Sequence, residues 1–260
     1  YNAETHLKDL TDSLKEQTNN NWRHIVIDDM SIDGSYDQFL NLTKDTEITF
    51  LGNGSNVLIR DEGIKGCVIC LKNTLNNYEI IGNNEFLIEA GLSCMKIAQF
   101  TAKRDYTGLE FLCGIPGSLG GALVMNAGCY GSNIWEKVAE VNLINKNGEI
   151  IKKNRHDFLV GYRNVKLEDD NFFISANFIL KKNPLKNSLE IIKEYLQDRR
   201  SKQPTGLPSC GSVFKNPDNL YAANLIDSLG LKGYKIGGAY ISQKHANFII
   251  SDNGTKSSDS

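Results

Sequence analysis

Apolar residues recur along this chain at two different spacings. At the start the spacing is helical: Leu7, Leu10 and Leu14 fall on one face, ahead of the polar run 17–21. A strand is predicted at 24–27, a helix through Tyr36, Phe39 and Leu40, and a strand at 48–51, together a small β-α-β unit. From Leu51 to about Leu180 the pattern changes to short apolar runs separated by glycine turns. Strands are predicted at 56–59, 67–71, 86–90, 138–144 and 172–180, with an Asn147-Gly148 turn leading into a hairpin partner at 149–151. One helix, 93–104, interrupts them, with Ile97, Thr101 and Arg104 on successive turns.

Lys182-Asn183-Pro184 reads as a boundary, because proline follows the end of a strand. Beyond it come a helix over 188–199 with Leu189, Ile192 and Leu196 on one face, and a helix over 221–229 closed by Gly230. Strands at 239–241 and 247–250 follow. The expected organisation is α+β, with a first domain over 1–183 and a second over 184–260. The first divides into a small lobe to about residue 50 and a larger β-rich lobe over 51–183.

Glycine changes the picture. The segment 108–131 holds seven glycines, no Lys, Arg or Asp, and Glu110 as its only acid. A solvated loop would carry charge, and so much backbone freedom argues against a packed helix. Glycine at this density in an apolar run lets backbone come close to a flat or phosphorylated ligand, although tight turns between buried strands would use it too. A second glycine loop, Gly52-Asn53-Gly54-Ser55-Asn56, lies between two predicted strands and does not open a helix, so it is not a Rossmann fingerprint. Its backbone amides, the Ser55 hydroxyl and the Asn56 amide can form an anion nest, and a plain hairpin turn would look the same. Two such loops without a Walker lysine favour a dinucleotide pyrophosphate over a nucleoside triphosphate.

Composition mainly excludes. With 260 residues, 40% apolar and 23% charged, the chain is of ordinary globular type. A net charge of −2 gives no case for nucleic acid or an acidic membrane surface. No apolar run approaches the ~20 residues that span a bilayer, and the first residues carry no export pattern, so a cytoplasmic protein is expected. Of six cysteines, Cys67 and Cys70 form a C-x-x-C inside a predicted strand. Residues three apart on a strand point to opposite faces and cannot share a metal, so reduced thiols and no metal are expected.

Two further segments carry candidate chemistry. Tyr162-Arg163 lies between strand-like runs, and an arginine there suits a carboxylate through two parallel bonds, or is simply a surface residue. In Pro208-Ser-Cys-Gly-Ser212-Val-Phe-Lys215-Asn216-Pro217, small neighbours expose the Ser212 hydroxyl beside two polar side chains. The surroundings do not match a hydrolase nucleophile elbow, and His245 reads as structural or substrate-facing rather than as a triad base. Arg199, Arg200 and Lys202 end a helix, where cations suit the macrodipole, and Lys202 lies within reach of a phosphate.

These motifs together resemble the UDP-N-acetylenolpyruvoylglucosamine reductase family of peptidoglycan synthesis. The shared pattern is Leu51-Gly-Asn-Gly-Ser-Asn, Gly108-Leu-Glu-Phe, Gly114-Ile-Pro-Gly-Ser-Leu-Gly-Gly, Met125-Asn-Ala-Gly, Tyr162-Arg163, Lys202-Gln-Pro and Gly211-Ser-Val-Phe-Lys-Asn-Pro. Leu231-Lys-Gly-Tyr-Lys-Ile-Gly-Gly and Lys244-His-Ala-Asn-Phe complete it, covering about 48–254 in the family's order. Two departures stand out: the family's early Thr-x-x-Gly-Gly has no counterpart in 17–23, and its catalytic Glu beyond Lys244-His-Ala-Asn-Phe has none before Ser260. A truncated C-terminus is therefore expected.

The resemblance implies a flavin-binding domain of the PCMH type followed by an α/β substrate domain. It implies non-covalent FAD held by Gly52, Asn53, Gly54, Ser55, Asn56, Gly114, Ile115, Pro116, Gly117, Ser118, Gly120, Gly121, Asn126, Ala127, Gly128 and Arg199. NADPH is the implied hydride donor, the enolpyruvyl ether of a UDP-sugar the acceptor, and UDP-N-acetylmuramate the product. Arg163 would stabilise charge on the substrate carboxylate and Ser212 would deliver a proton, with Tyr162, Lys202, Lys215, Asn216 and His245 binding substrate. A monomer without nucleic-acid or membrane partners is expected. Another FAD oxidoreductase of the same fold and an inactive FAD-binding homologue remain the alternatives.

Overall fold

The computed structural model describes residues 47–259 apart from 169, 253 and 254. The helices and strand expected before residue 47 lie outside the described residues. The strand Ile48–Leu51 pairs in parallel with Cys67–Cys70. Between them the expected strand at 56–59 does not form: 57–60 make no strand pairing, and Leu58 is 58% exposed. Alternation was absent there, and no described strand offers that run a ladder.

The main sheet has five antiparallel strands in the order Tyr78–Ile81, Glu85–Glu89, Asn171–Ile179, Val138–Asn145, Ile150–Asn154. Along Glu85–Glu89 every second residue is buried, as a sheet with one covered face requires, and Val138–Asn145 keeps buried Val141 and Leu143 in that alternation beyond a register shift at Ala139. Phe86, Ile88, Val141, Leu143, Phe173, Ala176 and Phe178 supply the core side. The hairpin turn at Asn147-Gly148 forms as expected, with Gly148 at φ +82°. Phe50 packs against Phe172 with tilted rings, centroids 4.2 Å apart, and so joins the parallel pair to the sheet.

Helix α1, Cys94–Ala102, packs on the turn at 110–114 and reaches the sheet through Phe100, which stacks on Tyr78. Its start is set by Ser93, whose hydroxyl accepts from the Lys96 amide, and Ile97, Ala98, Phe100 and Thr101 form its buried face. The glycine segment holds a correction. Where the glycines argued against a helix, residues Leu119–Val124 form α2, preceded by a tight 3₁₀ turn over 110–114. The two glycines lie at the sheet-facing start of α2, where tertiary bonds replace intrinsic propensity: Leu119 and Gly120 donate to the Leu92 and Ala90 carbonyls.

Helix α3, Ser188–Lys202, follows the proposed boundary but packs on the upstream lobe, with Ile192 in its core. The buried Ser188 hydroxyl donates to Glu110 Oε1 at 2.6 Å, while the Gly108 amide donates to Oε2 at 2.7 Å. Burial pushes the Glu110 pKa up, but these bonds outweigh it and hold the carboxyl below its ordinary value. Tyr195 stacks on Tyr130 at 3.9 Å. Beyond α3, helix α4, Ala222–Ser228, ends at Gly230 with φ +69°. A small antiparallel sheet, Lys235–Ile236, Ala239–Ile241 and Ile249–Ser251, completes the described part.

Candidate active site

The two glycine loops face each other. A Cβ at Gly52 would overlap the Ser118 hydroxyl, and one at Gly117 would sit 3.5 Å from Ser55 Oγ. Ser118 is only 2% exposed, yet its hydroxyl has no hydrogen-bond partner. A buried, unpaired hydroxyl between two stretches stripped of side chains is a feature that a bound polar ligand explains. Asn53, Gly54 and Asn56 are exposed along the same loop, as are Pro116 and Gly121 on the other, while Ile115 packs against the core.

Other members of the expected cofactor set also contact protein groups. Gly120 lies against Ala90, where an added Cβ would be 3.1 Å from the Ala90 Cβ. Gly114 abuts Cys129 and Tyr130, and Gly128 pairs with Asn133 in a short ladder with no room for a side chain. The Ala127 amide donates to Ala122 at the end of α2. Asn126 donates from Nδ2 to the Gly161 carbonyl at 2.9 Å. Arg199, in the last turn of α3, donates to Gln203 Oε1 at 3.0 Å. Its positive charge works against burial at Cys113 and Cys129, whose thiols burial pushes up to about 11 and about 12.

Tyr162 and Arg163 form the tip of a hairpin whose arms are Val160–Gly161 and Asn164–Val165. Arg163 has φ +50°, the left-handed region that the third position of a type II turn normally gives to glycine. This tip opens onto a small pocket, about 110 Å³, which also receives Ser212, Asn216 and His245. Five residues singled out from separate stretches of sequence thus meet in one place. Lys202 and Lys215 do not line it; Lys202 is engaged with Asp198 at 2.5 Å on its own helix, and Lys215 is exposed.

The segment around Ser212 is held by a residue to which the sequence alone assigned no role. Asn247, 4% exposed, accepts from the Phe214 amide and donates to the Phe214 carbonyl, both at 2.9 Å. Ser212 itself bridges to Phe248. Phe214, Tyr221 and Ala223 also line the pocket. Only the place of Asn247 inside Lys244-His-Ala-Asn-Phe could have pointed to it. Asn216 Oδ1 accepts from the Ala222 amide at the start of α4. The His245 Nδ1 accepts from the Asn247 amide at 3.3 Å, so the neutral ring carries its proton on Nε2. Burial, and then the nearby Lys232 charge, hold its pKa below the ordinary 6.5.

A larger cavity, about 760 Å³, lies elsewhere among the described residues, between Trp135, Glu140, Arg155 and Asn177, and contains none of these residues. Among the described residues there is no cluster of three metal-ligating side chains, and no helix is long and apolar enough to cross a membrane.

Comparison with known proteins adds independent support. Residues 40–154 match the family model for an FAD binding domain, and 203–260 that for the UDP-N-acetylenolpyruvoylglucosamine reductase C-terminal domain. The chain is 46% identical over 230 residues to the UDP-N-acetylenolpyruvoylglucosamine reductase of Legionella pneumophila strain Corby, covering 88% of this chain and 73% of that protein. The enzyme of the same name from Methylococcus capsulatus is 45% identical over 223 residues, covering 85% and 73%. The crystal structure of UDP-N-acetylenolpyruvylglucosamine reductase from Thermus caldophilus superposes with a TM-score of 0.73 at 31% identity, over 85% of this chain and 81% of that one. With the flavin-type glycine cradle and the Arg163–Ser212 pocket in one α+β frame, the chain belongs to the UDP-N-acetylenolpyruvoylglucosamine reductase family.

Proposed function

We propose that this protein uses FAD and NADPH to reduce the enolpyruvyl ether of UDP-N-acetylglucosamine to UDP-N-acetylmuramate, a step of peptidoglycan precursor synthesis. The convergence of Arg163, Ser212 and His245 on one pocket carries the reading. Gly52–Asn56 and Gly117–Ser118 are the backbone that would hold FAD, and the unpaired Ser118 hydroxyl fits that role. When bound, FAD supplies a hydride acceptor and donor that no side chain of this protein can replace. We assign the reaction to the cytoplasm and to a monomer.

The protein's own groups account for the charge and the proton. As hydride reaches the terminal vinyl carbon, negative charge builds on the α-carbon and spreads into the carboxylate. Arg163, a fixed cation with a planar fork, stabilises that charge as it forms. Ser212 supplies the proton to the α-carbon. A serine hydroxyl is a weak acid, and donors around its oxygen are needed to stabilise the alkoxide. The His245 Nε2–H and the Arg163 guanidinium, which line the same pocket, suit that task better than Lys202 or Lys215. Tyr162 and Asn216 would hold the rest of the substrate at the rim.

Arg163→Lys tests the reading. It keeps the charge and loses the fork, so turnover with the enolpyruvyl ether should fall by about 10²-fold, the loss typical of an oxyanion donor. Activity within about threefold of the parent protein would remove Arg163 from the mechanism.

A further inference from the structure

We propose that Asn126 is a positioning residue: by holding the Gly161 carbonyl, it fixes the hairpin that presents Arg163, tying the glycine-rich segment to the carboxylate-binding tip. The proposal rests on the assignment of Arg163 above.

The hairpin needs such a tie. It has two residue pairs, Val160 with Val165 and Gly161 with Asn164, and a two-residue connection. A two-stranded ribbon of that length does not hold its shape alone. Its tip is also strained, because Arg163 occupies φ +50° and has a Cβ that glycine would lack. Two constraints act at the base, where Lys166 donates to Leu159 and Val165 is buried. Next to the tip there is one. Among the described residues, the Asn126 amide makes the only hydrogen bond from elsewhere in the protein to a residue of 160–165. Its acceptor is the carbonyl of Gly161, directly before the turn.

Asn126 is itself built for this reach. It has φ +40°, a backbone state that asparagine tolerates better than most residues, and it follows the end of α2 directly. Its Nδ2 spends its bond on the hairpin, while its Oδ1 is buried without a donor from the described residues. The contacting atom is the Gly161 carbonyl oxygen, which can only accept, and this fixes Nδ2 as the end of the amide that faces it. The resemblance implies cofactor contact for this residue, and its observed protein partner is the arm that carries Arg163.

Asn126→Asp keeps size and backbone tolerance but cannot donate, and Asn126→Gly removes the amide while relieving the positive φ. In both, hydrogen exchange of the amides in 160–166 should speed by roughly tenfold while those of α1 stay protected. FAD content and the half-reaction with NADPH should remain within about twofold of the parent, while the half-reaction with the enolpyruvyl ether slows by about tenfold. Combined with Arg163→Lys, either change should add little, since both act on one group. Unchanged exchange in 160–166, or loss of FAD in step with activity, would overturn the proposal. Faster exchange with no kinetic effect from either Asn126 variant or Arg163→Lys would uphold the positioning of the hairpin and defeat the catalytic assignment of Arg163.

Discussion

Ser212 and His245 show how much a single side chain depends on its neighbours here. Ser212 is held by a strand bridge to Phe248 and by the two-bond clamp of Asn247 on Phe214. Ser212→Ala should leave the half-reaction with NADPH nearly unchanged, because no proton from this segment is needed there. The half-reaction with the enolpyruvyl ether should slow by ~10²-fold or more. Stopped-flow absorbance reads the two separately; equal slowing of both would make Ser212 a structural residue. His245 gives a prediction in pH. Its folded-state pKa lies below 6.5, so between the two values the unfolded chain holds a proton that the folded one lacks. Stability is then flat above about pH 6.5 as far as His245 is concerned, and falls as pH drops through that window. Urea unfolding of His245→Gln from pH 5 to 8 should show a shallower acid limb than the parent, and identical limbs would contradict the assignment. The residue types of Arg163, Ser212 and His245 were legible from their motifs. The positive φ of Arg163 and the clamp by Asn247 were not, because both follow from tertiary contacts.

At the scale of elements, the glycines divide into two kinds that the sequence does not distinguish. Gly117 lies beside Ser55 with ordinary spacing, whereas Gly120 has Ala90 against it. Gly117→Leu is expected to give a folded but colourless protein that takes up no FAD, with a melting temperature close to that of the parent. Gly120→Leu overpacks the contact between α2 and the sheet strand, which costs about 1–3 kcal/mol, and should lower the melting temperature as well. Equal thermal effects from the two would erase this distinction. Strands with alternating burial, such as Glu85–Glu89, and helices with one apolar face, such as α1, were readable because period and burial agree. Helix α2 was not, since glycine propensity points away from it and the Ala90 and Leu92 carbonyls decide the matter.

At the scale of the molecule, α3 is the shared strut. Its first half is tied to the flavin-type lobe by Ser188, Ile192 and Tyr195, and its last turn receives Lys244, whose Nζ donates to the Arg200 carbonyl. The sequence placed a boundary before this helix on the strength of Pro184, but the buried Glu110–Ser188 bond across that boundary has no local signature. Because Arg163 stands on one side of the strut and Ser212 on the other, the pocket between them belongs to both parts of the chain. That pocket's size has a consequence for the order of events. On the proposed reading, the acceptor's three-carbon group and the donor's nicotinamide ring would share this one small opening. They would then bind in turn, and initial rates with both substrates varied are expected to give parallel double-reciprocal lines. Lines that intersect would mean that the two occupy the protein together, through an opening wider than this one.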